Sequence, residues 1–455
     1  MLKSFESYLG EFEFIDQSHA CSSDDNKFTV IVGKNGTGKS RLLRNIVLGL
    51  IADRVHPKVF SRDDQVSFKK EQLGWLNIEY MPEKIICAST SPFDKFPTLR
   101  RDSYCEEYSY LGLRGLPSSN LGLSYMSKIV FTLIAEVVKN DKQAASVSGV
   151  LEYLGYVGEI LITLSPISPR LIADFSGTES PYRIIDEYLR RPKFFSTDLN
   201  TQLRQLLDLD GFQLSRVIDA ARRLEEYTRR SKLVIAINKK GMHFFSDAPI
   251  DSEDIVLAVT SGLFRLREVE LHKPSIRAPI RFSEASSGEQ SVVMSLLGIG
   301  SQIQDGSLIC IDEPELCLHP EWQEKYIELL FHTFSSKRHC HFLIATHSPQ
   351  IVAQIPEGNC YVMSMSDGKA QHASKFAHRS IDFQLAEVFD APGYKNEYLS
   401  RIALNAFAKV SRNKKFDYDS KKTLEHLRKS RRDIRSKDPL NELIVALEEM
   451  ASKYD

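Results

Sequence analysis

No two cysteines in this chain fall at Cys-x-x-Cys spacing, and the seven that occur (Cys21, Cys87, Cys105, Cys310, Cys317, Cys340 and Cys360) are odd in number and widely scattered. That pattern argues against a disulfide framework or a zinc site and leads us to expect reduced thiols in a cytoplasmic protein. An excess of one charge is lacking as well. Lys and Arg number 59 against 60 Asp and Glu, so any contact with nucleic acid must come from a local patch. Long apolar runs are missing too. "IVFTLIAEVV" from Ile129 is short and interrupted, and the opening "MLKSFESYLGEFEFIDQ" has no signal-type apolar core, so no membrane contact is expected. There is no internal repeat and no low-complexity tract. What is present is a chain of 455 residues, enough for two or three domains and a sizeable core.

Near its start, "KFTVIVGKNGTGKSRLLRNIVLGLI" joins a β-rich run, Phe28 to Val32, to a helical pattern beginning near Lys39. Between them lie Gly33, Lys34, Asn35, Gly36, Thr37, Gly38, Lys39, Ser40 and Arg41, the phosphate-loop spacing in a strand-to-helix setting. Glycines let backbone N–H groups turn in around phosphate oxygens, and the helix N-terminus adds partial positive charge. Lys39 is expected to reach the β- and γ-phosphates of ATP, and the Ser40 hydroxyl to ligate Mg2+.

A carboxylate strand follows far downstream in "SLICIDEPELCLHPEWQEKY". Ser307 to Ile311 reads as a buried parallel strand, which places Asp312 at its carboxyl end as a magnesium ligand. Glu313 comes next, as the general base that polarises a water in line with the γ-phosphate. "HFLIATHSPQIV" repeats the plan, with His347 at the end of a strand as a γ-phosphate sensor and Ser348-Pro349 opening a helix. His339 and His341 have no third ligand in view and read as ordinary residues entering that strand.

Between these motifs stands "SEASSGEQSVVMSLLGIGS", a polar run that opens directly into an apolar, helix-like segment. Taken alone, Ser287 would serve equally well as a plain helix cap. The order of loop, polar run, carboxylate strand and histidine resembles the ABC-type ATPases, and "SSGEQ" is similar to their signature. Ser287 and Gly288 match its Ser-Gly core and Gln290 its glutamine, while Glu289 replaces the usual second glycine. The resemblance implies that Ser287, Gly288 and Glu289 meet the γ-phosphate of ATP held by a second copy, which is anion binding at a helix N-terminus used across an interface.

About 250 residues separate Lys39 from Ser287, more than a compact transporter ATPase needs, so an inserted domain is expected. "PELCLHP", Pro314 to Pro320, resembles the dimer-contacting loop of the SMC, RecF and OLD group. The glutamine that follows the third strand in that class is missing after "KIICAST"; "SPFDKF", Ser91 to Phe96, stands in its place and leaves the last magnesium ligand open. In the insertion, Leu214, Val217, Ile218, Ala221 and Leu224 make one helical stripe, which reads as core before it reads as a partner-binding arm. "KLVIAINKKGMHF" and "LREVEL" read as strands returning to the ATPase lobe.

The expected fold is α/β, an ABC-type P-loop ATPase core with a helical insertion and a helical C-terminal region. Its boundaries are set at 1–120 and 232–365 for the two halves of the core, 121–231 for the insertion and 366–455 for the tail. The tail lacks the strand-end carboxylates of a Toprim nuclease, since Asp417 and Asp419 follow no strand-like run, and no His-Asn-His nuclease pattern is visible. Its basic run "LRKSRRDIRSK", Leu427 to Lys437, could contact DNA phosphates but reads first as a solvated face. This layout resembles the ATPase subunit of Septu-type antiphage systems, also found beside some retrons. That resemblance implies a homodimer or higher oligomer that binds ATP at its interfaces and regulates a separate HNH-type nuclease subunit. A RecF- or SMC-like DNA-repair or chromosome-maintenance ATPase that binds DNA itself is the alternative.

Overall fold

The computed structural model describes residues 1–16, 18, 25–52, 54–60, 74–99, 105–116, 121–175, 180–190, 203–204, 206–228, 232–245, 250–276, 278–316 and 318–454. Cys21 and Cys317 lie outside these residues. The other five cysteines are buried and form no disulfide among the described residues.

The chain folds as two compact units, Met1–Arg114 with Gln304–Asp455, and Gly115–Ile303. The first opens with β1 (Leu2–Ser7), β2 (Gly10–Glu13), β3 (Lys27–Val32), β4 (Trp75–Ile78), β5 (Ile85–Ser89) and β6 (Tyr108–Leu111). The second holds β7 (Glu159–Pro166), β8 (Leu233–Asn238), β9 (Gly241–Phe244), β10 (Phe264–Leu271) and β11 (Ile280–Arg281). The chain then returns with β12 (Leu308–Asp312), β13 (His341–Thr346), β14 (Cys360–Ser364) and β15 (Ala370–His372).

Seven strands of the first unit make one sheet in the order β15-β14-β3-β13-β12-β5-β6, parallel throughout except for β15. Strands β3, β5, β12 and β13 are buried over their whole length, as expected where helices cover both faces of a parallel sheet. Their register aligns the carboxyl ends: Asp312 lies beside Ser89 and Ala345, and Val32 beside Thr346. The helix Lys39–Ile51 buries Leu42, Leu43, Ile46 and Val47 in a core that also takes Ile31, Leu343 and the aromatic Phe5, Phe12 and Phe14. Beyond β15, the helices Ile381–Glu387, Glu397–Asn413, Tyr418–Ser430 and Leu440–Tyr454 share a core of Leu399, Val410, Leu427, Ile444 and Leu447. This is the expected helical C-terminal region.

His341 is a structural residue on β13. The Thr29 hydroxyl donates to the Phe14 carbonyl at 2.7 Å and its oxygen accepts from His341 Nε2 at 2.9 Å, which leaves Nδ1 buried without a partner among the described residues. Burial holds the imidazole neutral, with its pKa pushed down to about 3. Because the unfolded ring titrates near its ordinary value of about 6.5, stability is complete above that pH and is lost as pH falls towards 3. The loss approaches about 1.4 kcal/mol per pH unit. His341→Phe should therefore lose less stability than the parent as pH falls from 7 to 3 in urea titrations, and equal acid sensitivity would refute this.

The second unit differs from expectation. Residues 121–231 are largely helical, as expected, but carry the strand β7, and β8 and β10 do not return to the parallel sheet. They join β7 in an antiparallel sheet of order β11-β10-β7-β8-β9. Strand β7 alternates half-buried and buried residues along its length, as a sheet with one covered face requires. The stripe Leu214, Val217, Ile218, Ala221 and Leu224 is buried, in keeping with the core reading. The run near Ile129 belongs to a helix, Leu121–Lys139, that by length and composition alone could cross a membrane; its Ile129, Leu133, Ile134 and Val137 are buried. The helix Ser287–Gln302 also belongs to this unit and packs on Leu121–Lys139 and Lys142–Tyr153.

Candidate active site

At the carboxyl edge of the parallel sheet the phosphate loop turns from β3 into its helix. Gly36 and Gly38 have φ of 82° and 98°, a region that disfavours any side chain. Thr37 folds back, its hydroxyl donating to the Lys34 carbonyl at 2.9 Å. Lys34 itself reaches away from the site and pairs with Asp433 of the C-terminal region at 2.6 Å. Asn35 and Arg41 are exposed.

Lys39 is only 4% exposed, and its Nζ donates to the Gly33 carbonyl at 2.9 Å. The same Nζ lies 2.7 Å from Nε2 and 3.0 Å from Nδ1 of His347. A neutral imidazole offers one lone pair, so one of these contacts is the hydrogen bond. Burial, opposed by Glu315, Asp312 and Glu313, brings the Lys39 pKa down to about 8. Burial and the Lys39 charge push His347 down to about 4, so the ring is neutral near pH 7 and its 3.8 Å approach to Glu313 is not an ion pair.

The Ser40 hydroxyl donates to Asp312 Oδ1 at 3.2 Å, which brings together the two groups expected to hold magnesium. Burial raises the Asp312 pKa to about 7. A carboxylate so desolvated gains from a bound cation, so these residues fit Mg2+. A further donor is one residue past Ser89, the neighbour of Asp312 across the sheet: Thr90 has a buried hydroxyl without a hydrogen-bond partner among the described residues. Asp94, in the "SPFDKF" stretch, is committed elsewhere. It accepts from the Tyr110 hydroxyl at 2.6 Å and from the Phe96 amide at 3.1 Å.

Glu313 takes φ of 52°, uncommon for a residue with a side chain, while its amide donates to the Ala345 carbonyl at 2.9 Å. Strain of this kind is sustained where the surrounding structure fixes it, often at a reactive centre. Sequence reading did not single out Glu315. Its carboxylate accepts from the His347 amide at 2.5 Å and from the Thr346 hydroxyl at 2.9 Å, fixing the strand end that carries the histidine. The only signal was its place within "PELCLHP". Glu315→Gln, which keeps one acceptor, should retain much of the turnover, whereas Glu315→Ala should lower kcat at least tenfold with little change in ATP affinity. Equal kcat in parent and Glu315→Ala would remove Glu315 from this role.

In the second unit the helix cap is Ser286, not Ser287: its hydroxyl accepts from the Glu289 amide at 3.2 Å. Ser287 is left exposed at the helix start, Gly288 is buried, and Gln290 holds the preceding loop through the Phe282 and Ala285 carbonyls. The Glu289 carboxylate accepts from the Tyr156 hydroxyl and from Lys273 Nζ at 2.9 Å. The residue in the place of the usual glycine therefore presents no uncompensated anion.

In the C-terminal region, Asp417 caps the helix Tyr418–Ser430 and lies 2.5 Å from Lys409 Nζ, with Asp419 at 3.1 Å from the same atom. Among the described residues no group of three or more His, Cys, Asp or Glu could hold a metal ion. In the basic run, Arg428 and Arg431 share Glu448 at 2.8 and 3.3 Å.

Residues 168–353 match the family described as "AAA domain, putative AbiEii toxin, Type IV TA system", a span that includes Ser287–Gln290, β12 with Asp312, and His347 but not the phosphate loop. The chain is 30% identical over 91 residues to the "Retron Ec83 probable ATPase" of Escherichia coli, covering 18% of this chain and 16% of that protein. It is 30% identical over 121 residues to the Septu protein PtuA of Bacillus thuringiensis, covering 24% of this chain and 26% of that one. The matches thus span about a sixth and a quarter of the relatives' own length. Among solved structures, a nucleotide-free ATP-binding cassette from an ABC transporter aligns with 81% of this chain and 89% of its own at 13% identity and a TM-score of 0.24. The Smc head domain from Pyrococcus furiosus aligns with 82% and 96% at 13% identity and a TM-score of 0.27. Neither superposition is close enough to define this fold. The chain is thus an α/β protein with a phosphate loop, similar over residues 168–353 to the AAA family model and, over shorter stretches, to PtuA and to the retron ATPase.

Proposed function

We propose that this chain binds and hydrolyses ATP with Mg2+, that two copies close around the nucleotide, and that closure regulates a separate HNH-type nuclease in antiphage defence. The observation that carries the catalytic part is the convergence of Lys39, Ser40, Asp312, Glu313 and His347 at one edge of the sheet. The Gly33–Ser40 loop surrounds the phosphates with amides, and Lys39 exchanges the Gly33 carbonyl for phosphate oxygens. Ser40 and Asp312, with Thr90, would hold the magnesium ion, which neutralises phosphate charge when bound. Glu313 takes the proton of the attacking water, and His347, kept neutral, hydrogen-bonds the γ-phosphate. Ser287 and Gly288 of a second copy complete the site at an exposed helix start.

The regulatory part follows from the similarity to Septu and retron ATPases. It is tested by co-purification of the tagged chain with the products of its flanking genes, with and without ATP. A small nuclease recovered at fixed stoichiometry is the expected result. Recovery of the chain alone, or with repair proteins and DNA, would instead favour a RecF- or SMC-like role in DNA repair or chromosome maintenance. Exposure of Arg432, Arg435 and Lys437 is the observation on that side.

A further inference from the structure

The helix Ser287–Gln302 carries a carboxylate in its first turn, Glu289, just after the Ser286 cap. A negative charge there suits the helix dipole but repels a second anion brought to the same helix end. In the proposed closed state that second anion is the γ-phosphate held by another copy, so an unbalanced Glu289 would oppose the approach of Ser287 and Gly288. Two donors balance it. Lys273, in the segment between β10 and β11, directs its Nζ to Glu289 Oε1 at 2.9 Å and stands 5.0 Å over the Tyr156 ring. The Tyr156 hydroxyl, just beyond the helix Lys142–Tyr153, donates to the same oxygen.

Burial alone would raise the Glu289 pKa, but the bonds from Tyr156 and Lys273 outweigh it and hold the carboxyl below its usual range, so the side chain is ionised at neutral pH. The Lys273 side chain is 32% exposed, and a pair open to solvent contributes little to folding. Its charge counts most when a second anion arrives. We propose that Lys273 is a positioning residue that acts in trans: by neutralising Glu289 it admits the start of this helix to the γ-phosphate of ATP bound by a second copy, and so sets the rate of hydrolysis at that copy's phosphate loop. This role deepens the proposed function and rests on two copies closing around ATP. It also accounts for a glutamate where the signature that this run resembles has glycine: the acidic side chain is tolerated because Lys273 accompanies it.

The test is ATP hydrolysis by the intact chain, with ATP affinity measured separately by calorimetry. Lys273→Met keeps the aliphatic stem against Tyr156 but loses the charge; it should lower kcat about tenfold or more, with ATP affinity and melting temperature at parent values. Lys273→Arg should keep most of the turnover. Adding Glu289→Gln to Lys273→Met should bring kcat back to within about threefold of the parent, because no carboxylate is left to neutralise, whereas a bond that merely holds the fold would not be mended by a second substitution. Mixing reads the action in trans directly. Lys273→Met and Glu313→Gln chains, combined before ATP is added, should together hydrolyse faster than either alone, since the intact phosphate loop of the first then meets an intact Lys273 on the second. In a control mixture Ser287→Glu, at an exposed position, takes the place of Lys273→Met. Recovery in the control but not with Lys273→Met would confine Lys273 to its own chain and overturn the proposal. Recovery in neither would refute the closure of two copies around ATP, and this role of Lys273 with it. Parent-like kcat in Lys273→Met, or no rescue in the double variant, would overturn it as well.

Discussion

Glu313→Gln should lower ATP turnover by a factor of about 100 to 10,000, the range over which a positioned general base contributes. The replacement keeps side-chain length and leaves the φ of 52° and the amide bond to Ala345 as they are, so it removes the proposed base without disturbing its backbone. In the proposed mechanism ATP is bound through Lys39, Ser40 and Asp312, none of which is altered. The variant should therefore accumulate with ATP bound and as a closed dimer, visible as an ATP-dependent doubling of mass by light scattering. Single-turnover hydrolysis gives the rate directly. Turnover at the parent rate would show that Glu313 is not the base.

Lys39→Ala should abolish measurable ATP binding, a loss of at least 100-fold in affinity by calorimetry, because no other buried cation lines the loop among the described residues. Its effect on stability should be of the opposite kind. The ammonium is held in a buried position where its pKa falls to about 8 against about 10.5 in the unfolded chain. A base with a depressed folded pKa costs stability as pH falls through that interval, and below about 8 the whole cost is present. Without ATP, Lys39→Ala should therefore melt no lower than the parent at pH 7. A lower melting temperature would mean that the contacts with Gly33 and His347 outweigh the desolvation of the charge.

The local motifs were legible because each is written in consecutive residues whose chemistry depends on spacing alone. The strand-loop-helix with Gly36, Gly38, Lys39 and Ser40, and the two strands ending in Asp312-Glu313 and His347, all fold as read. Buried parallel strands are recognisable because both faces are covered and the apolar run is continuous. The second unit was misread in the same terms. In β10, FRLREVEL, apolar and charged residues alternate along much of the strand, the sign of an antiparallel sheet with one wet face, and this should have separated it from the strands of the parallel sheet.

By itself, then, the sequence determined which residue types could do the chemistry and in which local elements they sit. Only the tertiary structure decided which of them meet. Ser40 is 272 positions from Asp312 in sequence yet 3.2 Å away, Lys39 is 308 positions from His347, and Lys34 is 399 from Asp433. Such contacts depend on strand order and register, which long-range pairing sets and no local window contains. The same holds for the environment of each group: Lys39, Asp312 and His347 depart from their ordinary pKa values chiefly through burial, which the folded unit creates.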